Sequence, residues 1–551
     1  MSLSISIPIL LATAQATADV PVAVTPARPA SLAVAPGRPR EILLTLRRGE
    51  SADIAVLQQG VDVVVEAFSP AGRLIATIDS PNGRQGDEPV SLFADEAGRY
   101  RLRIRAISPQ EPAGSVRVRV AEFRDAAATR RLLAARAQER RQAAAWLGRN
   151  NEALPADGRL NPAASLPILD RIASESRIVG IGEATHGSRE FADFRLALIK
   201  RLVERHGFRI VAVEGSSSRW RALEDYVSGR TSQADAGARS GGWIGTRAVL
   251  ELIAWTRQWN LAHPEDRVRI VGLDAQDNAQ SREDLRAFLQ SAYGAALSEA
   301  AAPHLAALAA ADERAAVFAD STVAGEQLRF FQQLAWRIGE DEPILASRFG
   351  DGVFRRALAA ARDLAAFADF NSGRGPMVRS RDWYMATGIV RALEESSGSA
   401  KAVFWGHNSH VSAAPTSWGP TGALLRQVFG CAYRAVATTF GRGGFVAQVP
   451  GDPQNRLRAV DLPPADEQTI EGVLAQVRAG AHLSAWTCGA QERPVWLQTQ
   501  RPLRWVGALY APDSPPSASY QPYAILNAFD AIAYFPAVAA EPVPAANGGR
   551  E

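Results

Sequence analysis

Three carboxylates and three imidazoles of this 551-residue chain directly follow short apolar runs: Glu183 and His186 in G-E-A-T-H-G, Glu214 in V-A-V-E-G, Asp274 in V-G-L-D, and His407 and His410 in H-N-S-H. A carboxylate that orients an imidazole makes a general base able to take a proton from an attacking water. A second imidazole and a guanidinium can then stabilise the oxyanion that forms. The same residue types could instead ligate a metal that generates hydroxide. A covalent serine route has less support, because no G-x-S-x-G is present and Ser216 to Ser218 stand just after a carboxylate, as loop or capping residues do. The chain has seven histidines. His206, His263, His304 and His482 fall at expected helix ends or loops and read as surface or packing residues.

The elements that would position these groups can be read from periodicity. Apolar runs at 177–182, 209–214, 268–273, 401–406, 433–440, 504–510 and 530–535 are short and β-branched or aromatic, and helix-patterned stretches separate them. Such alternation implies an α/β domain, a mostly parallel sheet covered by helices on both faces, whose ligands bind beyond the carboxyl ends of the strands. Every candidate group above lies at such an end. On a helical wheel over 189–205, Phe191, Phe194, Leu198 and Leu202 form one apolar stripe with Arg195 in its middle, while Glu190, Asp193, Lys200 and Glu204 take the other face. A guanidinium on a buried face requires a partner. Glu183 or Glu214 is the expected one. The segment 281–370 contains no strand pattern and is too long for one crossover, so it reads as a helical insertion able to wall a pocket.

Upstream the pattern changes. From 41 to about 124 the chain alternates apolar and polar residues between Gly, Pro, Asn and Asp turns, which predicts a small all-β sandwich. It holds no His or Cys and is assigned no chemistry. Residues 21–40, rich in Pro, Ala and Val, read as a linker, 125–159 as a helical connector, and 541–551 as a disordered tail. The start, Ile5 to Leu11 followed by small residues in A-x-A spacing, reads as a signal peptide over 1–20, which would make the protein secreted or periplasmic; a cytoplasmic protein with an unstructured tail is the alternative. No other apolar run approaches a membrane span. Cys431 and Cys488 are too few for a disulfide scaffold or a zinc site, and one bridge between them is open to an exported protein. The net charge is +3 and the basic residues are almost all Arg, which reads as base composition, with no nucleic-acid partner expected.

The blocks GIGEATHGSREF, HGFRIVAVEG, VGLDAQ, RSRDWYMA, WGHNSHV, WVGALYAP and FDAIAYF resemble, in order and spacing, the erythromycin esterase family over about 160–540. The resemblance implies a three-layer α/β/α fold and hydrolysis of an ester or lactone by activated water, without a covalent intermediate or required metal. It implies His186 as general base with Glu183 its partner, and Glu214, Arg195, His407 and His410 as further catalytic groups. Asp274, Arg381, Asp382 and Trp405 of the same blocks are expected to bind substrate. No metal or other cofactor is expected, and the partner is a small-molecule ester or lactone. The β-rich N-terminal region loosely resembles the pre-peptidase C-terminal type of accessory domain. Two alternatives stand beside this reading: a metallohydrolase using His186, Glu183, Glu214 and His410, and a non-catalytic binding protein linked to polysaccharide assembly.

Overall fold

The computed structural model describes residues 21–542 except 81, 232–245, 314–320, 371–376, 397, 417–418, 453–455, 487, 490–492, 512–513 and 515. The segment expected as a signal peptide and the end of the expected tail lie outside the described residues. The chain divides into two units, Met1–Gln138 and Glu139–Glu551.

The first unit is two antiparallel-rich sheets, one of five strands and one of four, closed over a core that includes Ile42, Val56, Val65, Tyr100, Leu102 and Val118. Period-two alternation produces it: in Gly98–Ala106, Tyr100, Leu102 and Ile104 are buried between arginines that point outward. Residues 21–40 are not a linker. Val22–Ala23 and Ala30–Val34 are strands of the two sheets, and Ala30, Leu32 and Val34 are buried while Ser31 and Ala33 are exposed. Small residues between prolines masked that alternation.

The second unit is built on a nine-stranded sheet. Its strands in chain order are β1 (Asn151–Ala153), β2 (Ile178–Glu183), β3 (Phe208–Ser216), β4 (Arg269–Asp274), β5 (Lys401–His407), β6 (Tyr433–Gln448), β7 (Leu457–Leu462), β8 (His482–Ala485) and β9 (Ala531–Val538). The order across the sheet is β1-β8-β9-β6-β2-β5-β3-β4, with β7 paired to β6. Pairings among β2, β3, β4, β5, β6 and β9 are parallel, and β1, β7 and β8 pair antiparallel. Side chains alternate between two cores. Val179, Ile181, Val211 and Val403 enter one with Phe191, Phe194 and Leu198 of helix α1 (Arg189–His206), and Ile178, Ile210, Ala402 and Phe404 enter the other. That arrangement is the three-layer α/β/α expected.

Three further helices matter for the site and its surroundings: α2 (Ser217–Val227), α3 (Asp351–Phe370) and α4 (Met377–Glu394). Met385, Ile389 and Leu393 of α4 close the second face of the sheet. Among the described residues the helical insertion is present as five helices between Ala279 and Phe370, with a core of its own that includes Leu285, Phe288, Phe331, Phe354 and Leu364.

Several sequence expectations are corrected. The run 504–510 is not a strand of the main sheet: Arg501–Arg504 pairs with Tyr520–Tyr523 in a separate two-stranded sheet. The stretch read as a helical connector contains β1, which pairs with β8. Glu541, placed in the tail, is buried, and its backbone N–H donates to Gly187 at 2.8 Å. Its burial comes from distant packing that local composition does not encode. The bridge left open between Cys431 and Cys488 is present, with Cα atoms 5.9 Å apart and a sequence separation of 57. Among the described residues no helix is long and apolar enough to cross a membrane.

Candidate active site

Strand register assembles the site. Glu183 ends β2 directly beside His407 at the end of β5, and Gly182 stands beside Gly406. The chain crosses from β2 to one side for β3, β4 and β5 and then to the other for β6, so β2 lies where strand order reverses, the place ligands take in such sheets. Gly182 is required by close approach, because a Cβ there would run into Oδ1 of Asn408. Asn408 is itself pinned through Nδ2 to the carbonyl of Thr438 at 2.8 Å. In β3 the pairing with β4 shifts between Val213 and Ser216, a bulge that takes Glu214 out of the ladder. Freed in this way, Oε2 of Glu214 accepts the backbone N–H of His407 at 2.6 Å. Ser216 then caps α2, its hydroxyl accepting from the N–H of Arg219 at 3.3 Å, as its place in sequence suggested.

One half of the site is a chain of contacts on Glu183. Nδ1 of His186 lies 2.8 Å from Oε1, and the guanidinium of Arg195 pairs with Oε2. Arg195 also lies over the ring of Trp405, 4.2 Å from its centroid. Its partner is therefore Glu183 rather than Glu214, and the indole stacks on the cation. Trp405, expected to touch substrate, is buried beneath it. Burial pulls the Arg195 guanidinium down from its ordinary pKa while Glu183 opposes that, and a guanidinium so paired stays a cation. Burial also works against charge on His186, but Glu183 outweighs it and raises the imidazole above its ordinary value. The wheel's polar face is only partly exposed: Glu190 and Asp193 are buried, Glu190 accepting the N–H of Ala539 at 2.7 Å and Asp193 pairing with Arg247 at 2.6 Å.

The other half centres on Arg381 of α4. Its Nη2 lies 2.7 Å from Oε1 of Glu214 and 2.7 Å from Oδ2 of Asp274, so one guanidinium ties the ends of β3 and β4 together. Glu214 also sits 3.3 Å from Nε2 of His410, whose Nδ1 is 2.9 Å from Oδ1 of Asp382. Burial and the charge of Arg381, whose Nη1 lies 2.9 Å from Nε2, disfavour the imidazolium of His410, yet Glu214 and Asp382 outweigh them and push its pKa up to about 9. Burial likewise works against the charge of Glu214, and His410 and Arg381 hold it well below the usual carboxylate range. Asp382 does not reach a substrate. It is 0% exposed, and Oδ1 accepts the N–H and the hydroxyl of Thr421, both at 2.7 Å, besides holding His410.

His407 lies between the halves, its ring 5.4 Å from that of His186. Its Nδ1 accepts the N–H of Ser409 at 3.2 Å and lies 2.8 Å from the Ser409 hydroxyl, which leaves the proton on Nε2, 3.4 Å from the carbonyl of Ala184. Burial and the neighbouring His186 push its pKa down to about 3, so it is a neutral donor. Trp505 packs edge-on against it at 5.3 Å, from a segment whose Val506 N–H donates to Ala184 at 2.7 Å.

All ten residues anticipated from the sequence thus fall in one region. Ser409, Thr421 and Trp505 were missed. Ser409 had a signal in the H-N-S-H spacing itself; the other two arrive by tertiary contact. His206, His263, His304 and His482 stand apart, His206 on Asp170 at 2.9 Å, His304 on Gln327 at 2.8 Å, and His482 fully buried in β8 rather than in a loop. Among the described residues no group of three or more His, Cys, Asp or Glu is placed to hold a metal ion.

Comparison with known proteins bears on this arrangement. Erythromycin esterase type I of Escherichia coli is 26% identical over 299 residues, covering 49% of this chain and 72% of that protein. Type II from the same organism is 22% identical over 307 residues, covering 51% and 73%. A solved structure of a succinoglycan biosynthesis protein matches with a TM-score of 0.61 at 17% identity, over 74% of this chain and 99% of that one, a likeness of fold alone. The erythromycin esterase family model matches residues 203–538, which leaves Glu183, His186 and Arg195 just upstream of the matched segment. With the match spanning more than half of its length, the chain belongs to the erythromycin esterase family.

Proposed function

We propose that this protein hydrolyses a carboxylic ester or lactone by direct attack of water, with His186 as the general base. The observation that carries the reading is the contact of Nδ1 of His186 with Oε1 of Glu183 at 2.8 Å. With Nδ1–H donated to a carboxylate, the basic lone pair is on Nε2 and the imidazolium formed on proton transfer is stabilised. Arg195 pairs with the other oxygen of Glu183 and holds the carboxylate in place. The Nε2–H of neutral His407, held only by a long 3.4 Å contact to the Ala184 carbonyl, is the donor that can turn to the developing oxyanion, and His410 and Arg381 fix Glu214 and add positive potential beside it. Attack adds the water oxygen to the acyl carbon as His186 takes its proton. Collapse of the tetrahedral intermediate breaks the bond to the alkoxy oxygen, which receives a proton from His186 as it leaves.

The disulfide between Cys431 and Cys488 supports a periplasmic or secreted location, since such bonds persist in oxidising compartments. The test is turnover of the purified protein on a panel of alkyl, aryl and macrocyclic esters, before and after chelation, compared with His186→Ala. Turnover that depends on His186 and survives chelation supports the reading. Hydrolysis unchanged in His186→Ala, or lost on chelation and restored by one divalent ion, overturns it.

A further inference from the structure

Away from the reaction centre, a cavity of about 900 Å³ lies between the edge strand β4, helices α2, α3 and α4, and the helix Ser321–Glu340. Its volume is at the upper end of what small-molecule sites use, ~300–1,000 Å³. Part of the wall is apolar: Ile270, Leu273, Ala365, Ala366 and Ala392 are buried and line it, with Trp383 beside them. The rest is charged, with Arg221, Arg230, Arg269, Arg355, Arg356, Arg362 and Arg391 against Glu224, Asp225, Asp363 and Glu395.

The pairing of those charges is uneven. Asp363 is taken by Arg221, and Asp225 by Arg230 at 2.8 Å and by Arg356. Arg269 takes Glu224 at 2.9 Å and Glu395 at 3.3 Å. Arg355 reaches Asp351 at 4.0 Å. Every lining carboxylate is committed, and among the described residues Arg362 and Arg391 have no carboxylate within ion-pair distance. Burial and the charge of Arg391 lower the pKa of Arg362, and the carboxylates of Glu395, Asp363 and Glu342, none within ion-pair distance of it, oppose the shift without cancelling it. Two like charges on an apolar wall are unfavourable unless an anion completes them. Arg is the side chain suited to receive one, because its planar fork matches carboxylate geometry.

We propose that this cavity is a second ligand site, which takes an amphipathic organic anion with its carboxylate between Arg362 and Arg391 and its apolar body along β4 and α3. The site is separate from the reaction centre but shares its supports. Leu273 and Ala275 of the wall flank Asp274, and Tyr384 of the wall follows Arg381 by one turn of α4.

Dodecanoate is a direct probe, with dodecanol and dodecyltrimethylammonium as neutral and cationic comparators, each titrated by calorimetry against the full chain. The expected result is saturable binding of dodecanoate alone, weakening as salt is raised, and at least about tenfold weaker in Arg362→Gln/Arg391→Gln. Equal binding of the alcohol, absence of salt dependence, or no saturable binding of dodecanoate to the wild-type protein would each overturn the proposal without any variant being needed. Undiminished binding in a folded double variant, checked by its melting curve, would overturn it as well.

Discussion

Glu183 and His407 are 224 residues apart in sequence and are register partners at the ends of adjacent parallel strands. This pairing brings the Glu183–His186 contact alongside a second imidazole that is neutral by burial. The functional predictions rest on the difference between those two rings, one raised and one lowered from the same ordinary value.

His186→Ala is expected to lower kcat by ~10² to 10⁴ on an accepted ester, the usual contribution of a positioned base. Glu183→Gln keeps the shape of the carboxylate but not its charge, and should lower kcat with little change in KM. Steady-state kinetics decide it. An effect of Glu183→Gln confined to KM would mean that the carboxylate does not act through the base.

Arg195→Lys retains a cation but loses the planar surface stacked on Trp405 and the geometry of the Glu183 pair. Hydrogen bonds to charged groups are worth ~1.5–3 kcal/mol, so a loss of about tenfold or more in kcat is expected. Wild-type kinetics in this variant would show that charge alone suffices.

The pH profile has two expected limbs. His186 must be neutral to accept a proton, and its pKa is raised, so kcat/KM should rise with pH through a value above that of an ordinary imidazole. His410, with a pKa of about 9, is a cation below that pH and loses its pairing with Glu214 above it, so activity should fall on the alkaline side. The same sign holds for stability. A raised His contributes fully below its unfolded pKa of ~6.5, and the contribution is lost as pH climbs through about 9. His410→Asn should remove the alkaline limb. Persistence of that limb in the variant would assign it to another group.

Reduction of the Cys431–Cys488 bond, or Cys431→Ser with Cys488→Ser, should destabilise the second unit by roughly 2–4 kcal/mol, since the bond closes a loop of 57 residues. The measurement is the melting temperature with and without reductant. An unchanged value would mean that the native contacts around the bond hold the loop by themselves.

A chain beginning near residue 125 lacks the sandwich but keeps the helix Ala126–Gly148 and all ten candidate residues. It is expected to hydrolyse a small soluble ester at the rate of the full chain. Loss of turnover in a well-folded truncated chain would show that the N-terminal unit contributes to the reaction.

Local order made much of this protein readable from its residues. A strand buried on both faces is a short apolar run, so β2, β3, β4 and β5 were visible, and with them the placement of Glu183, Glu214, Asp274 and His407 at their ends. Arg195 was legible because a cation inside an apolar helical stripe demands a partner. What could not be read was anything set by contacts between distant segments. Nothing local distinguishes Glu183 from Glu214 as the partner of Arg195; the packing of α1 against β2 and β5 decides it. Asp382 looked like a ligand-binding carboxylate until Thr421 and His410 enclosed it. The opposite shifts of the three site imidazoles arise the same way, because a pKa depends on which charges lie within a few ångströms after folding. Periodicity in the sequence determines the elements and the residues at their tips, whereas the charge each tip carries is decided by the neighbours that only the assembled sheet supplies.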